Sequence, residues 1–107
     1  MNSTLKTLSE IVALANDLLY TRHMSVDTIM GIMDETLRKQ GIKADAVIVD
    51  CIAVDKKIVF LVHDEKQGMV DIALGNKQGD IYSSSEYELN SLSVSVIVNI
   101  LEENFIT

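Results

Sequence analysis

The sequence predicts a single α+β domain over residues 1–107: an N-terminal helical hairpin, an antiparallel meander of three or four strands, and a C-terminal helix packed on the sheet. Three observations predict it. Apolar residues recur at three and four through the first third of the chain. Short β-branched runs, punctuated by lysine, aspartate or glycine, fill the middle. The last apolar segment follows Ser85 and Glu88, which stand at capping-box spacing.

Leu5, Leu8, Ile11, Val12, Ala15, Leu18 and Leu19 form one apolar stripe, which predicts a helix over 4–22. Ser25 is placed to cap a second helix over 26–40, with Asp27 in its first turn and Val26, Met30, Met33 and Leu37 as its stripe. Arg38 and Lys39 suit the negative end of that helix, and Gly41 can stop it. One long bent helix is the alternative to the hairpin.

Strands are expected over 46–54, 58–63 and 69–75, with a short fourth near 80–83. Lys-Gln-Gly occurs three times, at 39–41, 66–68 and 77–79. Each glycine falls where the chain must turn and can take positive φ at low cost. Residues 92–100 alternate apolar and polar like a strand, yet Glu88, Ser91, Ser95, Asn99 and Glu102 make a polar helical stripe. Helix is the reading adopted, with strand as its alternative. As a helix the segment is apolar over most of its circumference and needs two neighbours. The sheet supplies one, and a second copy of the chain is expected to supply the other.

The charge distribution limits the functions. Net charge is −7, and hydrophobic residues make up 48% of the chain. Residues 1–43 carry five acids and five bases, whereas residues 44–107 carry eleven acids and four bases. No base follows Lys77. Without Lys/Arg clusters to displace counterions, direct nucleic-acid binding and an anionic membrane surface are disfavoured. A basic protein partner fits this balance. The single cysteine suits a reducing compartment. The leucine-rich start is interrupted by Lys6, Glu10 and Asp17, so it does not read as a signal peptide. No apolar run reaches a membrane-spanning length. A cytoplasmic location is the expectation.

No phosphate loop, dinucleotide fingerprint, zinc pair or nucleophile elbow is present in the sequence. Neither an enzyme, a cofactor nor a bound metal is therefore expected. Cys51 lies in an apolar strand and reads as an inert core thiol. The weak catalytic candidates are Asp50, His63 and Asp71, each within an apolar strand. If Asp55-Lys56 is a two-residue hairpin turn, Asp50 lies opposite Leu61 and diagonal to His63. A carboxylate beside an imidazole is the beginning of acid–base chemistry. A one-residue change in turn length would put the pair on opposite faces. His23 reads as a linker residue rather than a ligand. Met24, Met30, Met33 and Met69 could mark an adaptable binding surface, although Met30 and Met33, at helical spacing, read more readily as core.

In size, acidity and helix–sheet–helix layout the chain is similar to small bacterial chaperones of secreted effectors and to small immunity or inhibitor proteins. That likeness lies in bulk properties and assigns no residue a role. The leading functional expectation is a small acidic protein-interaction module that forms a homodimer and can take a basic protein. Its interface is expected at Val94, Ile97, Val98 and Leu101, rimmed by Glu86, Glu88, Glu102 and Glu103. One alternative is a small-ligand protein or enzyme using Asp50 and His63. A second is an acidic nucleic-acid mimic, with Asp55, Asp64 and Glu65 contributing to a row of carboxylates.

Overall fold

In α1 (Ser3–Arg22) the apolar stripe is the buried face: Leu5, Leu8, Val12, Ala15 and Leu19 have no exposed surface. Each such leucine contributes ~1.5–3 kcal/mol by leaving water. The computed structural model describes residues 3–106.

The chain then departs from the expected hairpin of helices. Residues 26–40 do not form a helix. Ile29–Met33 is strand β1, and only Thr36–Lys39 makes a single helical turn, α2. Gly31 in the middle of the segment disfavours a helix by about 1 kcal/mol, and the β-branched Ile29 and Ile32 suit a strand. Long-range pairing decides the outcome: Met30 lies opposite Val49, Gly31 opposite Ile48 and Ile32 opposite Val47. Thr28 holds the approach to β1 by donating to Asn16 Oδ1 of α1 at 2.6 Å.

Strands β2 (Ala44–Cys51), β3 (Lys56–His63), β4 (Met69–Gly75) and β5 (Ile81–Glu88) continue the meander. All five strands pair antiparallel in the order β1-β2-β3-β4-β5. The sheet thus has one strand more than the sequence suggested, and its last strand is longer than 80–83. The β2–β3 connection is four residues rather than two. Ile52–Val54 make a 3₁₀ turn, Asp55 takes the left-handed conformation at φ 51°, and Cys51 faces Lys56.

The glycines of the three Lys-Gln-Gly repeats, Gly41, Gly68 and Gly79, all have positive φ, at 86°, 78° and 95°. The repeat is therefore a turn device. In the β4–β5 turn Asn76 Oδ1 accepts from the amides of Gln78 and Asp80, both at 3.0 Å. That turn brings the Asp80 carbonyl against Gly75, where any Cβ would collide with it.

The C-terminal segment is helical, as expected: α3 spans Val94–Phe105. Its cap is Ser93, whose hydroxyl accepts from the Val96 amide at 3.2 Å, whereas Ser85 and Glu88 lie within β5. Both long helices pack on one side of the sheet. Their buried residues join Val47, Val49, Ile58, Phe60, Val70 and Ile72 in one core. The second neighbour that α3 needed is α1 of the same chain.

Candidate interaction surface

Strand alternation sends β2 and β3 side chains to opposite faces. Val47, Val49, Ile58, Phe60 and Val62 point under the helices. Ile48, Val59, Leu61 and Ala73 point the other way and belong neither to the core nor to the apolar residues packed against it. Their registers place them side by side: Ile48 is opposite Val59, and Val59 opposite Ala73. The result is an apolar patch at the centre of a sheet face that no long helix covers. A groove of about 400 Å³ lies on it between β3, β4 and β5, with Val59, Leu61 and Ala73 among its lining residues and Asp71 and Lys57 beside them.

Charges border this patch, and most are matched on the same face. Lys57 Nζ stands 4.0 Å from Asp50 Oδ1, to which its residue is directly paired. His63 Nε2 stands 3.3 Å from Asp71 Oδ2. Lys66 Nζ donates to Glu86 Oε2 at 2.9 Å, and that bond is the main reason its pKa lies above the ordinary lysine value.

Asp50 and His63 share this face but do not meet. Asp50 pairs with Lys57 and His63 with Ala44, six residues along β2. At ~3.3 Å per residue that is roughly 20 Å. The four-residue β2–β3 connection shifts the register that a two-residue turn would have given. The imidazole's carboxylate is instead Asp71, the third candidate, which lies opposite Leu61 and diagonal to His63. No group of three or more His, Cys, Asp or Glu side chains among the described residues could hold a metal ion. Cys51 is buried, as expected.

The expected interface on the last helix is not available on the folded chain. Ile97, Val98 and Leu101 are 0% exposed, and Val94 is half-buried. Glu102 accepts from His23 at 2.7 Å and from Arg22 Nη1 at 3.2 Å, tying α3 to the end of α1. The His23 bond, opposed in part by burial and aided by Arg22, holds the Glu102 carboxyl below its ordinary pKa. Glu103 is exposed on α3, while Glu86 and Glu88 stand on β5 among the side chains of the open face. These four acids therefore do not rim one patch. His23, read as a linker residue, has a carboxylate partner from 79 positions away.

Sequence reasoning missed a further cluster. Arg38 donates from Nε and Nη2 to the two Asp45 oxygens at 3.0 and 2.8 Å, and from Nη1 and Nη2 to the two Asp64 oxygens at 2.8 Å each. Asp45 is buried, so this double fork satisfies a carboxylate that would otherwise be costly to desolvate. The cluster fastens the β1–β2 connection to the end of β3, and it depresses the Asp64 pKa chiefly through the Arg38 hydrogen bonds. A lone arginine in the sequence carries no signal of two aspartates arriving from separate elements.

Asp55 and Asp64, two of the turn acids, lie just beyond opposite ends of β3. Asp55 accepts from the Lys77 amide at 3.2 Å, and Asp64 is held by Arg38, so neither belongs to a free row of carboxylates. Among the described residues no helix is long and apolar enough to cross a membrane. Comparison with protein-family models, curated proteins and solved structures finds no match to this chain.

Proposed function

We propose that this protein is an interaction module that pairs with a second copy of itself through the open face of its sheet. The observation that carries the reading is the patch of Ile48, Val59, Leu61 and Ala73, which takes no part in the chain's own core. Contiguous apolar surface on a soluble domain usually marks an interface.

A second copy suits the patch better than its net charge suggests. Toward the centre of the face Asp50 and Glu86 each have a lysine within 4.0 Å and Asp71 has His63 at 3.3 Å, which lessens like-charge repulsion there, while Glu88, unpaired among the described residues, stands at the β5 rim. Two sheets packing face to face sit ~10 Å apart and interdigitate their side chains. Five strands at ~4.8 Å spacing and about seven residues of length give a footprint of roughly 500 Å² per copy. The total of roughly 1,000 Å² is near the lower limit for a specific interface, which supports a reversible dimer rather than an obligate one.

The test is light scattering coupled to size exclusion, on wild type and on the Ile48→Asp/Leu61→Asp variant. Wild type is expected to elute with twice the chain mass at tens of micromolar, and the variant as a folded monomer. A monomeric wild type at millimolar concentration, or a variant that stays dimeric, would rule the face out.

A further inference from the structure

We infer that the free edge of β5 is a binding site for an extended, basic peptide segment, which would join the sheet as a sixth strand. The inference rests on reading the protein as an interaction module, though not on its dimer, because the added strand is held by the backbone groups of the free edge, while its lysines would border the open face.

β5 is eight residues long, Ile-Tyr-Ser-Ser-Ser-Glu-Tyr-Glu, and pairs on one side only. Ile81 and Tyr82 are 69% and 63% exposed, and Ser83, Ser84, Ser85 and Glu86 are exposed as well. Edge strands are ordinarily protected from pairing by lysine, proline, shortness or a bulge. β5 has neither lysine nor proline, and its one irregularity lies at its start, against Leu74 and Gly75.

The direction of its free backbone groups follows from one bond. The Leu89 amide donates to the Gly68 carbonyl at 2.8 Å, one step beyond the Met69–Glu88 pair. Hydrogen-bonded and non-bonded pairs alternate along an antiparallel ladder. The amides and carbonyls of Glu88, Glu86 and Ser84 therefore point away from β4, into the open edge. Their side chains share the outer face, because Glu86 is opposite Asp71 and Ser84 opposite Ala73.

The chemistry of the occupant follows from those side chains. A strand added to β5 would place alternate residues beside Ser84, Glu86 and Glu88, with Asp71 one strand further in. Glu88 has no side-chain partner among the described residues, and Lys66 is the only lysine or arginine bonded to this group of acids. Opposite charges stabilise cross-strand pairs and like charges oppose them. A segment with lysine or arginine at every second position fits. A second β5 does not, since it would bring two acidic edges together. The other edge, β1, is five residues long and has no ionised side chain with which to select a partner.

The probe is acetyl-(Lys-Thr)₄-amide, titrated into the labelled full chain and followed by backbone amide shifts and fluorescence anisotropy. Saturable binding is expected, with shifts centred on Ser84, Glu86 and Glu88. The same peptide N-methylated at its lysines keeps its charge but loses the bonds to the edge, and should bind at least tenfold more weakly. Ser84→Pro should do the same, because the amide it removes is not used in the β4–β5 ladder. Glu86→Gln/Glu88→Gln is a second variant, expected to weaken binding without touching the backbone. The Ile48→Asp/Leu61→Asp variant keeps the edge and adds negative charge to the same face, so it should bind the peptide at least as tightly as wild type, which separates this site from the dimer. Equal binding of the methylated peptide, shifts on the open face instead of the edge, or no saturation by millimolar peptide would overturn the proposal. So would β5 shifts that move with protein concentration alone, which would point to edge-to-edge self-pairing.

Discussion

Asp64 and Glu102 are each held ionised by donors that the fold brings from distant positions, Arg38 for the first and His23 with Arg22 for the second. Both carboxyls lie below their ordinary values of 3.8 and 4.5. A depressed folded pKa contributes stability that is present above the unfolded value and lost as pH falls through the folded one. Acidification from pH 4.5 downward should therefore remove both contributions. Urea midpoints measured across this range should fall less steeply for Glu102→Gln and Asp64→Asn than for wild type, while both variants start lower at neutral pH. Equal acid slopes would show that these bonds do not set the pH dependence. The two glycines of the sheet give a sharper contrast. Gly75→Ala should lower the urea midpoint because its Cβ meets the Asp80 carbonyl, whereas Gly31→Ala meets nothing and should leave stability within ~0.5 kcal/mol or raise it. None of these partners could be read from the sequence. They depend on which strand ends meet, and a one-residue error in a turn moves every such contact.

Helix α3 is a core element, so its apolar residues should behave like core when altered. Leu101→Ala is expected to cost ~2–5 kcal/mol in urea unfolding. Val98→Asp should leave the chain unfolded rather than merely monomeric. A folded, stable Val98→Asp protein would mean that α3 does not dock as described. The elements readable in advance were those whose periodicity is unambiguous. The leucine stripe of α1 and the strand β4 lie where they were expected, and the ambiguous segment 92–100 is helical from Val94 onward because Ser93 caps it and both α1 and the sheet receive it. The stretch around β1 misled because Val26, Met30, Met33 and Leu37 step like a helix, while Gly31 and the pairing with β2 favour a strand. β5 was read too short because its serines carry no apolar alternation, and an exposed edge strand needs none. Asp50 and His63 were correctly given strand positions but mispaired, since only the length of the Ile52–Asp55 connection fixes who faces whom.

The whole molecule is a two-layer arrangement, with helices on one side of a five-stranded sheet and an apolar patch on the other. That asymmetry leaves the apolar face of α3 inside the core and the other face of the sheet without a long helix. The chain has ample apolar residues for one core, and Ile48, Val59, Leu61 and Ala73 stay outside it, half-buried on the open face. The two proposed sites draw on different groups of the sheet: the central side chains of the open face for a second copy, and the free backbone edge of β5 for a basic strand. The most direct measurement is an isotope-filtered NMR experiment on a mixed sample of labelled and unlabelled chains, which detects only contacts between copies. Contacts are predicted from the methyl groups of Ile48, Val59, Leu61 and Ala73. Contacts arising instead from the exposed Leu14 or Met24 of the helical side, or no intermolecular contacts at millimolar concentration, would contradict the assignment of the open face.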